Sequence, residues 1–445
     1  MTFGPEVLLE RLDALETAGN RPDRYVIALS GGLDSAVLAH ALAVSRERHG
    51  KSLLAVHVDH QLHPESASWN DYCRKLAGTL GIEYVAETVS VDPAGGGGLE
   101  AAARSARYSA LARHTADGDW LLSAHHRNDQ AETLLLNLMR GSGPAGLAGI
   151  GLLTRFAAGW LVRPLIDVSR DALQAYAAEH ELCWIDDPSN EDLRFDRNYL
   201  RHEVLPELDQ RWPGVVERLA RSAGLAAEAA LMLDELAAID LQGVGGRAAR
   251  IDIAGLLALS DARQRNLLRY AVRQAGLPAP GAARLATVLD SVPRAREDAQ
   301  PLVEWEGAAV RRYRGNLYLL PPLSEPILPP EGQPFVAAPV SLGPGMGVLR
   351  LAPGAPRGMS GAIVERGLSV RTRRGGEEIK LAGQKHTKKI KKLLQEKGVV
   401  PWMRERLPLV YAGEQLVAVA DLWIAADAVS EPGTAVCWDE RPELH

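Results

Sequence analysis

Apolar and polar positions fall into alternating blocks along the first third of the chain. Short apolar runs at Arg24–Leu29, Leu53–Val58, Glu83–Val89 and Trp120–Ser123 have the length and composition of strands. Each is followed by a stretch with apolar residues at helical spacing: Asp34–Glu47, Ala67–Leu80, Glu100–His114 and Asn128–Met139. Strand–helix repetition of this kind predicts an α/β fold, a parallel sheet with helices on both faces. Ligands of such sheets bind beyond the carboxyl ends of the strands. The polar clusters of this region fall at those ends.

The pattern then changes. RLARSAGLAAEAALMLDELAAIDL and ARQRNLLRYAVRQAG predict a mainly helical middle region, with short strands near Pro301–Trp305 and Asn316–Leu320. PPLSEPILPPEGQPFVAAP is proline-rich and reads as a linker. Beyond it, LSVRTRR, PLVYAG and LVAVADLWIA predict strands around a basic helix, HTKKIKKLLQEKG. The expected domains are therefore 1–210, 211–322 and a small α+β domain at 339–445, with 323–338 as linker. The tract GGGG at 95–98 reads as a mobile loop.

Composition adds limits. The 445 residues are 46% hydrophobic and 24% charged, ordinary for a water-soluble globular chain. No apolar run reaches the ~18 residues of a membrane span, and the acidic amphipathic start does not resemble a signal peptide. Cys73, Cys183 and Cys437 are widely spaced and odd in number, which fits a reducing, cytoplasmic setting better than a disulfide framework. The net charge is −6, but residues 371–406 hold 12 Lys/Arg and 4 Asp/Glu, a local +8 on a remainder of −14. A basic island on an acidic chain fits either a polyanionic partner or a solvated charged helix.

The abrupt stop of the first apolar run at Ser30-Gly31-Gly32-Leu33-Asp34-Ser35 is the most informative feature. A glycine turn between strand and helix gathers backbone N–H groups at the positive end of a helix dipole, a cradle for phosphate or pyrophosphate. Ser30 and Ser35 add hydroxyls. Asp34 would repel phosphate unless a cation bridged the two, which points to Mg²⁺ shared between Asp34 and the phosphates. The loop is neither a Walker-type P-loop nor a dinucleotide fingerprint: Ser45 stands where the former needs glycine before Gly50-Lys51-Ser52, and G-x-G-x-x-G is absent.

SGGLDS resembles the pyrophosphate loop of the ATP-pyrophosphatase superfamily. Four further stretches, VHVDHQLHPES, GLEAAARSARY, SAHHRNDQAETLLLNLMRGSGPAGLAGI and DPSNEDLRFDRNYLRHEVLP, follow in an order that resembles the tRNA(Ile)-lysidine synthase family. The resemblance resumes at VRTRRGGEEIKLAGQKHTKKIKKLLQEKGVVPWMRERLPLV. It implies an enzyme that uses ATP to adenylate the C2 oxygen of the wobble cytidine in the CAU anticodon of tRNA(Ile). Free L-lysine then displaces AMP through its ε-amine, and the codon read changes from AUG to AUA.

The resemblance also implies site roles. Ser30, Gly31, Gly32, Leu33, Asp34, Ser35, His57, Asp59 and His60 would bind ATP. Asp34, Arg104, Asp129 and Glu132 would be catalytic. Asp129 and Glu132, three apart on one helix face, would hold lysine with Arg107, though acids at a helix start are also common for dipole reasons. Arg104 and Arg107 would stabilise charge on phosphate or on the adenylated intermediate, or pair with Glu100 on the helix surface. Asn128 stands where members of the family often have a second aspartate. Arg371, Arg373, Arg374, Lys388, Lys389, Lys391 and Lys392 would contact tRNA phosphates. Asn190, Arg197, Asn198 and Arg201 either tie domains together or touch tRNA. His60, His125 and His126 lack the cysteine neighbours and helical H-x₃-H spacing of a zinc site. The oligomeric state stays open, a homodimer among the alternatives.

Competing readings are another adenylating tRNA-modifying enzyme of the superfamily, notably a thiolase, which needs reactive or cluster-binding cysteines. A glutamine-dependent ligase would need a glutaminase domain, and a non-catalytic tRNA binder would have no use for an intact SGGLDS loop.

Overall fold

The computed structural model describes residues 2–16, 20–91, 98–296, 299–329, 331–335 and 338–444. The glycines at 95–97 of the expected mobile loop lie outside them. Contacts divide the chain into two compact units, residues 1–233 and 234–445.

The first unit begins α1 (Pro5–Leu15), β1 (Arg24–Ala28), α2 (Leu33–Val44), α3 (Arg46–His49), β2 (Ser52–Asp59), α4 (Ser66–Thr79) and β3 (Glu83–Thr88). It continues α5 (Gly98–Arg113), β4 (Asp119–Leu122), α6 (Arg127–Met139), α7 (Pro144–Leu147), β5 (Leu153–Phe156), β6 (Gly159–Val162) and α8 (Arg170–Glu179). The strands form one six-stranded sheet in the order β3-β2-β1-β4-β6-β5. All neighbours are parallel except β5, which closes one edge antiparallel to β6. The β5–β6 hairpin escapes the sequence pattern: β5, Leu-Thr-Arg-Phe, is an edge strand whose central residues are polar and exposed, so it carries no apolar run.

Apolar residues on both faces explain the layering. Ile27, Ala55, Trp120 and Leu122 pack under α1, α2 and α8, while Val26, Leu54, Val56 and Leu121 face α5. Each fully buried Leu, Ile or Val side chain contributes ~1.5–3 kcal/mol. Strand β1 has β2 on one side and β4 on the other. The chain therefore leaves β1 and β4 in opposite directions, and a crevice opens beyond their carboxyl ends. A closing segment follows α8: a 3₁₀ turn at Pro188–Glu191, α9 (Asp196–Tyr199), a π-helical turn at Leu200–Val204 and α10 (Leu205–Arg211).

Helix α11 (Val215–Gly243) runs from the first unit into the second. There, helices Asp261–Gln274 and Ala282–Ser291 cover a four-stranded antiparallel sheet, β7 (Arg250–Asp252), β8 (Leu302–Trp305), β9 (Ala308–Tyr313) and β10 (Asn316–Leu320), in the order β7-β10-β9-β8. The C-terminal part has two five-stranded sheets around one core that includes Phe335, Val370, Leu394 and Val410. Two expectations change here. Within the expected linker, Gln333–Pro334 pairs with Val370 and Ser369 as an edge strand, and Phe335 is buried. The expected basic helix is divided: Lys388–Lys389 pairs as a short strand with Glu378–Ile379, and only Ile390–Glu396 is helical.

Candidate active site

The turn after β1 sits at the crevice between β1 and β4. Its two glycines have different causes. Gly31 has φ +88°, and an added Cβ would meet Ile185 Cδ1 at 2.7 Å and Cys73 Sγ at 3.0 Å. That side is packed protein, and the Ile185 N–H donates to the Gly31 carbonyl at 2.9 Å. The side of Gly31 on which a Cβ would stand is therefore filled by protein rather than ligand. Gly32 is the N-cap of α2, has no side-chain cap, and its nearest neighbour to a Cβ is Ser30 Oγ at 3.7 Å. It is the glycine that leaves helix amides approachable. Ser35 Oγ accepts from the Gly31 N–H at 3.2 Å, donates to the Gly32 carbonyl at 3.0 Å and lies 3.0 Å from Ser30 Oγ. The two hydroxyls thus shape the turn. Leu33 belongs to the core beneath it.

His57 sits below the loop. Its Nδ1 lies 2.9 Å from the Leu29 carbonyl and 3.4 Å from Cys73 Sγ, and burial lowers its pKa. It supports the loop from inside the fold. Asp59 accepts from the Gln61 N–H at 2.8 Å, turning the chain after β2. His60 has a buried Nδ1 without a hydrogen-bond partner, and burial, then Arg107, lowers its pKa. Arg104 is exposed and Arg107 half-buried, both against the Tyr108 ring. Burial, then Arg104 and Arg197, lowers Arg107 from its ordinary value.

The helix opposite begins with His126 as N-cap of α6. Its Nδ1 accepts from the Asn128 N–H at 3.2 Å, while Asp129 Oδ2 accepts from the His126 N–H at 2.9 Å, a reciprocal capping box. Glu132 is fully buried and pairs with Arg201: Nε donates to Oε1 at 2.7 Å and Nη2 to Oε2 at 3.0 Å. Arg201 Nη2 also reaches Asp129 Oδ1 at 3.3 Å, and Arg197 Nε lies 3.4 Å from Glu132 Oε2. The four-residue spacing of Arg197 and Arg201, across the junction of α9 and the π-turn, brings both to α6. The sequence shows the acids and the arginines as separate helical pairs; their juxtaposition is tertiary. Burial raises the Glu132 carboxyl against the pull of Arg201. Burial alone would raise Asp129 too, but His126, His125 and Arg201 hold it below its usual range. The expectation that Glu132 is open to free lysine is therefore corrected: it is covered, and its charge is matched by arginine.

Asp34 completes the cluster. Its Oδ2 is 3.4 Å from His126 Nε2, and its Oδ1 is buried without a hydrogen-bond partner. His125, next to His126 in sequence, holds Nδ1 2.8 Å from Ser123 Oγ, and burial pushes its pKa down to about 3.

In the second unit the basic island divides. Arg371 pairs with Glu414 at 3.1 Å and lies over Tyr411; Arg373 pairs with Glu377 at 3.2 Å; Lys388 pairs with Glu396 at 3.3 Å. Arg374 and Lys392 are exposed. Lys389 and Lys391 line a cavity of about 670 Å³ together with Arg373, Arg404, Arg406 and, from β9, Arg311. Arg311 was not among the expected contacts; its Nε is buried without a partner. Trp402 is core, edge-on to Tyr318 at 5.2 Å between ring centres.

Family models match this arrangement in three consecutive pieces: a PP-loop domain over residues 7–208, a TilS substrate binding domain over 251–318 and a TilS substrate C-terminal domain over 368–438. A tRNA(Ile)-lysidine synthase of Alkalilimnicola ehrlichii is 42% identical over 99% of this chain and 98% of its own length. Those of Yersinia pestis and Coxiella burnetii are 40% and 39% identical, over 100% and 94% of this chain and 99% and 92% of theirs. The chain belongs to the tRNA(Ile)-lysidine synthase family. Among solved structures, a crystal structure of a TilS C-terminal domain is 25% identical over 24% of this chain and 98% of its own, with a TM-score of 0.21.

Within this lysidine synthase fold, Asn128 has a structural use. Its Oδ1 accepts from the Arg170 N–H at 3.3 Å, joining the start of α6 to that of α8. Arg163, unremarked in the sequence, is buried at the end of β6. It donates to Thr154 Oγ1 at 2.9 Å while its Nε finds no partner.

Proposed function

We propose that this protein performs the family reaction with the crevice between β1 and β4 as its centre. It is an ATP-dependent ligase that attaches lysine to C2 of the wobble cytidine of tRNA(Ile). The observation that carries this reading is the placement of Ser30–Ser35, with Gly32 as a bare N-cap at the start of α2, facing the α6 cluster at the sheet's switch point. The cytidine C2 oxygen attacks the α-phosphorus of ATP and pyrophosphate leaves into the Gly32 cradle. The lysine ε-amine then attacks C2, and AMP departs with that oxygen. Arg104 and Arg107 border the site as fixed positive charge for the phosphates. Asp129, less covered than Glu132 and linked to Asp34 through the shared His126, is the acid assigned to the incoming ammonium; Glu132 acts through Arg201.

Mg²⁺ fits Asp34. The side chain is about a third exposed, and its oxygen Oδ1 is buried with its valence unmet beside a phosphate cradle. Among the described residues no three His, Cys, Asp or Glu side chains are arranged to hold a metal. A cation held by Asp34 would therefore take its other ligands from phosphates and water, and would neutralise charge on the leaving pyrophosphate.

The tRNA body would meet the cavity of Lys389, Lys391, Arg404, Arg406 and Arg311, where cations outnumber acids. Thiolation is disfavoured at Cys73, whose thiol is pushed up to about 12 by burial and is far from the thiolate such chemistry needs. Among the described residues no helix is long and apolar enough to cross a membrane; three free thiols suit the cytoplasm. AMP formation from labelled ATP is the test: it should require both tRNA(Ile) and lysine. Release supported by ammonia or a sulfur donor in place of lysine would overturn the assignment.

A further inference from the structure

The cap of α6 is an unusual choice. Serine, threonine, aspartate or asparagine would satisfy a helix N-terminus through one short acceptor, yet a histidine stands there, almost fully buried. Its two ring nitrogens face different partners. Nδ1 is aimed at by the Asn128 N–H at 3.2 Å, so it is an acceptor and bears no hydrogen. The ring hydrogen is then on Nε2. That nitrogen lies 3.4 Å from Asp34 Oδ2 and 3.6 Å from Asp129 Oδ2. The Asp129 oxygen is already bonded by the His126 backbone N–H at 2.9 Å, so Asp34 is the nearer and less satisfied acceptor. Asp34 has no other side-chain partner within ion-pair distance among the described residues, and its Oδ1 has none at all.

From this arrangement we propose that His126 is the positioning residue for Asp34. Its Nδ1, fixed as acceptor by the cap of α6, leaves Nε2–H to hold the Asp34 carboxylate in the orientation that receives the cation and phosphates of ATP. A serine or asparagine cap would end the helix equally well but would not reach Asp34. The imidazole spans the crevice and ties the turn after β1 to the helix after β4. It sets the nucleotide loop against Asp129, and through Asp129 against Arg201 and Glu132. The inference rests on the reading of Ser30–Ser35 as the ATP site.

Two substitutions separate the halves of the ring. His126→Asn keeps an acceptor near the Nδ1 position and removes the Nε2 donor. His126→Gln keeps a donor near Nε2 and removes the cap acceptor. Binding of ATP with Mn²⁺, followed by calorimetry on the full chain without tRNA, is the readout, with the thermal midpoint recorded beside it. His126→Asn should keep the midpoint of the unsubstituted protein and weaken Mn²⁺·ATP binding about tenfold or more, the loss of a hydrogen bond to a charged group. His126→Gln should lower the midpoint and keep binding within about threefold. Unchanged binding in His126→Asn would overturn the proposal and leave a helix cap only. A double-mutant cycle with Asp34→Asn covers the case in which His126→Asn itself loses stability. The two substitutions should be non-additive in Mn²⁺·ATP affinity, and additivity would overturn the proposal. Failure of the unsubstituted protein to bind Mn²⁺·ATP would instead strike the ATP reading beneath it.

Discussion

At the scale of single residues, adjacent positions in one motif answer to different forces. Gly31 is required by a left-handed φ and by Ile185 and Cys73 behind it, whereas a Cβ at Gly32 would meet Ser30 Oγ and the Ile185 carbonyl only at ordinary contact distance, 3.7 and 3.9 Å. Gly31→Ala should therefore cost about 2–4 kcal/mol of stability, through the left-handed backbone and overpacking. Gly32→Ala should unfold in urea like the unsubstituted protein but bind ATP about tenfold more weakly, ~1.4 kcal/mol, because the methyl enters the amide cradle. Parallel urea and ATP titrations separate the two. Cys73 offers a second check. With its thiol pushed up to about 12 by burial, it should resist iodoacetamide at pH 8 while exposed Cys183 is alkylated, as mass spectrometry of the native protein would show.

At the scale of elements, α6 is held to the closing segment by a buried ion cluster. Removing one partner leaves the other charged and poorly solvated. Glu132→Gln should lower stability by about 3 kcal/mol in urea unfolding, more than a surface carboxamide exchange would. The same region sets an acid limit. His125 is held near 3 in the fold by burial, against an ordinary value of 6.5. Between those values the unfolded chain binds a proton that the folded chain refuses. Its contribution is complete above pH 6.5 and is lost as pH falls toward 3, at no more than about 1.4 kcal/mol per pH unit. Urea midpoints from pH 7 to pH 4 should therefore decline less steeply in His125→Asn than in the unsubstituted protein.

At the scale of the whole molecule, charge is concentrated where a polyanion would be met. Lys389 and Lys391 project into the cavity, whereas Lys388 is paired with Glu396. Exchanging Lys389 and Lys391 for glutamine should weaken tRNA binding and reduce its log–log salt slope by roughly 2, about 1 per phosphate contact. Mn²⁺·ATP affinity, measured without tRNA, should not change. An unaltered salt slope would remove both lysines from the RNA contact.

The alternation of strands and helices, the turn at Ser30–Ser35, the ordered motifs that mark the family and the location of the basic island are all legible in the linear order of residues. These are local: hydrophobic period, glycine content and residue order are written along the chain. Tertiary structure decided what those residues face. Asp129 and Glu132 lie three apart on a helix in either view, but Arg201, 69 residues beyond Glu132, decides that one of them is covered. Arg311 joins the basic cavity from a different sheet, and His126 meets Asp34 only because β1 and β4 are neighbours. A carboxylate's availability depends on which charges and how much solvent surround it, and those neighbours come from distant parts of the chain.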